Sequence, residues 1–137
     1  MMTLEADKIP STCEDLRSNH SFDCLSCLTG IDRGEQIEIV YHLFSYSKKE
    51  TLVLKTSVPK NNAMVPTVSH IWPSANWMER ETFDMVGVKF MGHPDLRQIL
   101  LPEGFEGHPM LKDYKEKEEC LGMSTTRNYE QIKNTGN

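Results

Sequence analysis

Two stretches near the middle of the chain alternate between apolar and polar residues, the period of a strand with one buried face. The first covers residues 36–46 and the second residues 51–58. The apolar positions of the first stretch share one face: Ile37, Ile39, Tyr41 and Leu43. A short polar run, Ser47–Glu50, separates the two stretches. The pattern predicts an antiparallel hairpin, ended by the proline at position 59.

A third segment, Phe22–Ile31, precedes this hairpin and is rich in residues that favour strands. Asp32-Arg33-Gly34-Glu35 follows it and is typical of a turn. Near the N-terminus, Ser11 or Thr12 could cap a brief helix that carries Cys13 and Leu16. The first half of the chain therefore predicts a helix followed by three strands.

Helical spacing appears after position 66. Pro66 suits a first helical position, and Val68, Ile71 and Trp72 would form the apolar stripe of a helix that Pro73 interrupts. Ser74 could cap a second helix through Val86, ended by Gly87. Its apolar residues are predicted to pack on the sheet: Trp77, Met78, Met85 and Val86. Val88–Phe90 predicts a short strand.

The rest of the chain has little regular periodicity. Glycines and prolines from Met91 onward predict an irregular ribbon. Its expected core anchors are Leu96, Ile99, Leu100 and Phe105. Residues 115–137 are polar, with little to bury, so residues 1–114 are predicted to form one domain and residues 115–137 a tail or partner-binding arm.

The net charge and the lengths of the apolar runs argue against some classes of function. Lys and Arg number 15 against 20 Asp and Glu, a net charge of -5, which argues against a nucleic-acid partner because such binding neutralises phosphates. No apolar run approaches the roughly 20 residues that span a bilayer, and the N-terminus lacks a secretory signal pattern. We therefore expect a cytosolic or membrane-peripheral chain.

Cys24 and Cys27 form a C-x-x-C motif. In a regular strand, residues three apart point to opposite faces and cannot hold one ion. Cys13 and Cys120 are isolated, so no second ligand pair is evident. The sequence predicts no metal and no structural disulfide, and a free-standing thiol or zinc protein is a remote alternative.

A charged cluster lies on the predicted second helix, where Arg80 and Asp84 are four residues apart and are expected to form an ion pair. A structural or interface clamp is the favoured interpretation, because an arginine-paired carboxylate suits a clamp better than a proton shuttle. His93 and His108 each precede a proline, which predicts fixed turns. No nucleotide-binding, hydrolase or metalloprotease motif occurs, so no self-contained catalytic constellation is predicted.

The run from Glu79 to Arg97 resembles the 30 kDa (C) subunit of proton-pumping NADH:quinone oxidoreductase (respiratory complex I) and the homologous subunit of energy-converting membrane-bound [NiFe] hydrogenases. The likeness extends over the segments Leu28–Asp32, Ile71–Trp77, Gln98–Pro102, Glu106–Pro109 and Lys112–Tyr114. Leu111 and Lys115 depart from the family pattern. The residues that carry the signature, and are candidates for an interface, are Glu79, Arg80, Glu81, Asp84, Gly87, His93, Pro94, Arg97, His108, Pro109, Asp113 and Tyr114.

The resemblance implies a small two-layer α+β domain with a mixed or antiparallel sheet, helices on one face and an extended C-terminal arm. It implies a non-catalytic subunit of the peripheral arm that docks on the 49 kDa (D) subunit, the homologue of the hydrogenase large subunit, beside iron-sulfur subunits. The chain itself would bind no cofactor; NAD(H), FMN, iron-sulfur clusters and quinone, or a NiFe centre, would belong to partners. The expected location is the cytoplasmic side of the cell membrane, with membrane contact only through the complex. The equivalent hydrogenase subunit is the alternative within the family.

Overall fold

Three long antiparallel strands and one short parallel strand form the main sheet, in a computed structural model that describes residues 1–117, 119–120 and 122–124. In chain order the strands are β1 (Met2–Thr3), β2 (Cys24–Asp32), β3 (Gln36–Ser45) and β4 (Glu50–Pro59). Their order across the sheet is β1-β4-β3-β2, with β1 parallel to β4. The expected α+β class with a mixed sheet is confirmed.

The predicted hairpin corresponds to β3 and β4. Tyr41 lies opposite Leu54 and Leu43 opposite Leu52 in an uninterrupted antiparallel register. The four side chains predicted to share one face of β3 are all at most 1% exposed. Burial of each of the three aliphatic side chains contributes roughly 1.5–3 kcal/mol, so this face forms the base of the core.

Strand β2 contains a β-bulge. Its register against β3 shifts between Leu25 and Cys27, which leaves Ser26 as the extra residue. Phe22, predicted to begin this strand, lies outside it, and its carbonyl oxygen accepts a hydrogen bond from Trp72 Nε1 at 3.3 Å.

Helix α1 (Ile9–His20) begins earlier and runs longer than predicted. Pro10 occupies its first turn, where a missing amide proton costs no helical hydrogen bond. Ser11 is inside the helix, and its hydroxyl donates to the Lys8 carbonyl at 3.1 Å. Ile9 and Cys13 are fully buried in the core.

The helix predicted to start at Pro66 is wrong. Met64–Pro66 is instead a strand, β5, parallel to β6 (Lys89–Met91), which confirms a short strand after Gly87. Val68, Ile71 and Trp72 are buried, but they lie in turns, with the amides of Ile71 and Trp72 both donating to the Val68 carbonyl. Pairing between the two strands satisfies backbone groups that a helix of so few residues would leave open.

Helix α2 (Ala75–Val86) ends at Gly87, as predicted, with φ at 84°. Of the side chains predicted to pack on the sheet, Val86 is buried and Met78 and Met85 are partly buried against the core, but Trp77 is 70% exposed. The face that meets the sheet carries Ala75, Glu79, Thr82 and Val86, at helical spacing. A side chain at Gly30 would lie 2.8 Å from Thr82 Cγ2, so this glycine permits the close approach of helix and strand.

After β6 the chain continues as an irregular segment, residues 92–114, here called the ribbon. Beyond it, β7 (Glu119–Cys120) and β8 (Met123–Ser124) pair antiparallel. Residues 118, 121 and 125–137 lie outside the described residues, so the arm predicted over 115–137 stays a prediction. In the part of the chain that is described, no helix has the length and apolar character needed to cross a membrane.

Candidate functional site

Helix α2 directs one carboxylate into the ribbon. Asp84 is 2% exposed, and its Oδ2 accepts hydrogen bonds from three successive backbone amides. These belong to Ile99, Leu100 and Leu101, at 3.2, 2.9 and 2.8 Å. Successive amides around one oxygen form an anion-binding concavity, here filled by a side chain of the same chain. Asp84 therefore fixes the backbone of the ribbon.

Arg80, one turn earlier, binds the residues just before this cluster. Its Nε donates to the Arg97 carbonyl at 3.2 Å and its Nη2 to the Gln98 carbonyl at 3.1 Å. The predicted ion pair between Arg80 and Asp84 is thus wrong. Both side chains satisfy backbone groups of one irregular segment. The guanidinium donates hydrogen bonds to carbonyl oxygens, and the carboxylate accepts hydrogen bonds from amides.

Glu79 points the other way, toward the segment between β5 and α2. It is 0% exposed, its Oε1 accepts from the Val68 amide at 2.8 Å, and its Oε2 accepts from the Thr67 hydroxyl at 2.5 Å. Burial raises the pKa of this carboxyl, against the opposing effect of the two hydrogen bonds. Glu79 thus closes a turn that has no regular backbone pairing.

His93 lies beside this carboxylate, with its Nε2 3.8 Å from Glu79 Oε2. Its Nδ1 accepts the Asp95 amide at 3.0 Å, which assigns the proton to Nε2. Nε2 then donates to the Asn76 carbonyl at 3.1 Å. The prediction of a fixed His-Pro turn is met here by an imidazole that ties the start of the ribbon to α2.

The second His-Pro turn packs against the end of α2. His108 Nδ1 donates to the Asp84 carbonyl at 3.0 Å, and its ring lies edge-on to Phe83 with centroids 6.3 Å apart. A side chain at Gly87 would lie 2.7 Å from the imidazole. Gly87 is therefore required twice, by its positive φ and by this contact.

Asp32 ties the other end of the ribbon to the sheet. Its Oδ1 accepts from the Gly34 amide at 2.8 Å, and its Oδ2 accepts from Lys60 Nζ at 2.7 Å and the Lys112 amide at 2.9 Å. The hydrogen bond from Lys60 is the main cause that lowers the pKa of Asp32. Lys60 also pairs with Asp113 at 3.1 Å. Sequence reasoning placed Asp32 in a turn and at the end of a family-like segment, but it missed the contact with Lys60, which is distant in the chain.

The remaining predicted residues are less constrained. Tyr114 stacks on Phe105, with centroids 6.4 Å apart. Arg97 pairs with Asp95 at 2.9 Å in an exposed position. Glu81 and Pro94 are exposed and Pro109 is half-buried.

The structure gathers Glu79, Arg80, Asp84, Gly87, His93 and His108 around α2, and Asp113 and Tyr114 near the end of the ribbon. We call the set Glu79, Arg80 and Asp84 the clamp. Its polar atoms bind backbone and side-chain groups of the chain itself. This arrangement can hold an irregular surface in one shape, and the interface role of the signature stays a prediction.

The cysteine motif has a different geometry from the one predicted. Because of the bulge at Ser26, Cys24 lies opposite Phe44 and Cys27 opposite His42, so both cysteines lie on the same face of the sheet. The expectation of opposite faces is wrong. Within residues 1–117, 119–120 and 122–124, no group of three or more His, Cys, Asp or Glu side chains could hold a metal. The metal-free prediction itself still requires measurement.

Cys13, Cys24 and Cys27 are free thiols. Burial raises the pKa of the Cys13 thiol to about 12. A buried thiol of this kind acts as a small apolar side chain in the core.

An apolar pocket of about 470 Å³ lies beside the clamp, on the outer side of α2. It is lined by Pro73, Ser74, Trp77, Met78, Glu81, Ile99 and Leu100. Leu100, predicted as a core anchor, is 59% exposed here. Sequence periodicity missed this pocket, because it placed both Trp77 and Leu100 in the core.

Comparison with known families gives a match over residues 2–119 to the family described as the respiratory-chain NADH dehydrogenase 30 kDa subunit. Similar curated proteins are the C subunits of NADH-quinone oxidoreductase from Moorella thermoacetica, 40% identical over 83% of this chain, and from Erythrobacter litoralis, 43% identical over 83%. The match spans 78% of the Moorella protein but 46% of the Erythrobacter protein.

Two solved structures share the fold. The trypsin-resistant fragment of Nqo5 is 29% identical, with a TM-score of 0.64 over 69% of this chain and 80% of the fragment. A chain of the membrane-bound sulfane sulfur reductase, an archaeal respiratory membrane complex, is 28% identical, with a TM-score of 0.75 over 82% of this chain and 69% of that one.

Proposed function

Because the chain belongs to the family of the respiratory-chain NADH dehydrogenase 30 kDa subunit, we propose that it is the 30 kDa-type component of a membrane-associated, ion-translocating NADH:quinone oxidoreductase. The observation that carries this proposal is the likeness to the Moorella thermoacetica protein over 78% of its length. The family match over residues 2–119 includes both the sheet and the clamp, so it is not confined to one motif.

The chain acts as a scaffold, without a catalytic role of its own. The clamp supports this interpretation, because its two buried carboxylates and the half-buried guanidinium of Arg80 are engaged by the chain's own backbone at 2.8–3.2 Å. Groups committed in this way hold a surface in place and are not directed at a substrate. NAD(H), FMN, iron-sulfur clusters and quinone are then bound by partner subunits.

The partner is the large subunit of the complex, the 49 kDa homologue, with iron-sulfur subunits nearby. The chain sits on the cytoplasmic side of the cell membrane and meets the membrane only through the complex. A net charge of -5 agrees with a protein partner and disfavours nucleic acid. Residues 115–137 serve as an additional partner-binding arm.

The test is reconstitution of the full chain with the large-subunit homologue from the same organism. The isolated chain should show no NADH oxidation or quinone reduction, and it should co-purify with the large subunit. Deletion of residues 115–137 should weaken co-purification while leaving the melting temperature nearly unchanged. Turnover by the isolated chain, or failure of the full chain to associate with the large subunit, would overturn the proposal.

A second candidate is the equivalent subunit of a respiratory membrane complex with different redox partners, such as an energy-converting [NiFe] hydrogenase. The observation that supports this candidate is the TM-score of 0.75 with a chain of the archaeal sulfane sulfur reductase complex. Affinity purification of the native complex through a tag on this chain separates the two. NADH-dependent quinone reduction by the purified complex supports the first function, and hydrogen turnover supports the second.

A further inference from the structure

The pocket beside α2 exposes an aromatic ring that contributes little to the core. Trp77 is 70% exposed, whereas the other tryptophan, Trp72, is 2% exposed. A large ring in contact with water loses the burial free energy that normally stabilises a tryptophan in a fold. Aromatic residues in such positions are enriched where proteins bind other proteins.

The wall opposite Trp77 is held in its exposed position by the clamp. Leu100 is 59% exposed, yet its amide donates to the buried Asp84 carboxylate at 2.9 Å. The amides on either side of it bind the same oxygen. Because the backbone is fixed, the leucine cannot move into the core to escape water. The pocket is therefore formed before any partner arrives, which lowers the entropic cost of binding.

The polar groups of the pocket indicate what kind of occupant fits. The Ser74 hydroxyl donates to the Leu25 carbonyl at 3.3 Å, so it is already engaged. Glu81 is exposed and is the one charged side chain among the seven described residues of the lining. A small polar ligand would find few convergent hydrogen-bonding groups here. An apolar side chain beside a cation matches both the walls and the carboxylate.

We propose that this pocket docks a protein segment of the partner subunit that presents a bulky apolar side chain next to a lysine or arginine. The apolar side chain packs between Trp77 and Leu100, and the cation pairs with Glu81. The inference rests on the proposed function for the existence of the partner, and it adds the surface, the anchor residues and the charge of the bound segment. The clamp then acts as a positioning device for this surface.

The experiment measures binding of the full chain to the purified large-subunit homologue of the same organism. Trp77→Ala should weaken binding by about 30-fold or more, the usual loss for a central aromatic anchor. Leu100→Ala should act in the same direction. Tyr46→Ala is the matched control, because Tyr46 is 67% exposed and does not line the pocket. It should change affinity less than twofold, and thermal melting should show that every variant is folded.

Charge reversal tests the predicted cation. Glu81→Lys should weaken binding by about tenfold at low salt and less at high salt. Reversal of one lysine or arginine in the partner should restore the affinity of Glu81→Lys. Glu50→Lys is the control, since Glu50 is also exposed but lies at the start of β4.

Failure of the wild-type chain to bind would reject the proposed function. Wild-type binding that Trp77→Ala and Glu81→Lys leave intact would reject the pocket alone. Two further results would also overturn the proposed docking of a partner segment, because each would identify a different occupant of the pocket. One is a wild-type dimer, seen by light scattering, that Trp77→Ala dissociates. The other is an increase in acrylamide quenching of Trp77 fluorescence when residues 125–137 are deleted, measured in a Trp72→Phe background.

Discussion

The sheet and the ribbon of this protein are stabilised by different means. In β3 and β4 the backbone groups pair with each other over ten residues, and the side chains are left to fill the core. In the ribbon, five successive residues from Arg97 to Leu101 direct backbone groups at two side chains of α2. Regular structure satisfies its own hydrogen bonds, whereas an irregular segment needs side chains to do so.

This difference explains why the charged residues of α2 are buried. Glu79 and Asp84 are 0% and 2% exposed, although an amphipathic helix normally places charged side chains in water. Their burial is tolerated because hydrogen bonds from backbone amides to the carboxylate oxygens replace the hydrogen bonds that these oxygens would make to water. Substitutions in the two regions should therefore have different consequences, and the following changes test that expectation.

The largest effect is expected at Asp84. Asp84→Ala leaves the amides of Ile99, Leu100 and Leu101 without their acceptor and should destabilise the chain by about 3 kcal/mol or more. Hydrogen exchange should accelerate at Leu100 and Leu101 before it does in β3. Asp84→Asn keeps one oxygen acceptor and should cost less. Leu43→Ala in the sheet should cost about 2–5 kcal/mol, with protection lost throughout; the same exchange pattern in both variants would contradict the distinction.

Gly87→Ala should destabilise by about 2 to 3 kcal/mol, because it combines a positive φ with a contact at His108. Gly34→Ala is the matched control, since its φ is also positive, at 102°, and no atom lies within 4 Å of the added carbon. It should cost about 1 kcal/mol. Chemical denaturation measures both. Equal losses in the two variants would show that the imidazole contact is unimportant.

The link between Asp32 and Lys60 should appear as acid sensitivity. The folded-state pKa of Asp32 lies below its unfolded value, so its contribution is complete above about pH 4 and declines as pH falls further. Asp32→Asn should flatten the fall in melting temperature below about pH 4. Asp95→Asn, a change at an exposed pair with Arg97, should leave the slope unaltered. An unchanged slope in Asp32→Asn would show that the link between Asp32 and Lys60 does not stabilise the ribbon.

The smallest effect on stability is expected at Trp77. Because this ring is 70% exposed, Trp77→Ala should change the free energy of unfolding by no more than about 0.5 kcal/mol. Trp72→Ala, by contrast, removes a buried ring and should cost about 3 to 5 kcal/mol. Denaturation of the two variants gives a direct comparison. A large decrease in the free energy of unfolding of Trp77→Ala would show that this side chain belongs to the core.

The local pattern of apolar and polar residues predicted burial correctly wherever burial depended on one face of a single element. The alternation in residues 36–46 identified the core face of β3, and Gly87 marked the end of α2 through its conformational freedom. The resemblance carried by residues 79–97 identified the family. In each case the information lies within a few residues, so it can be recognised in the sequence itself.

Only the tertiary structure decided what the charged and aromatic residues of α2 do. Arg80 and Asp84 have the spacing of an ion pair, but the ribbon brings backbone carbonyls and amides that compete for both side chains. Trp77 has the apolar character of a core residue, but polar Glu79 and Thr82 occupy the buried face because the chain needs Glu79 at the turn after β5. The bulge at Ser26 likewise turned two cysteines to one face. The partners in these contacts are distant along the chain, and their positions depend on how the whole domain packs, which local periodicity does not encode.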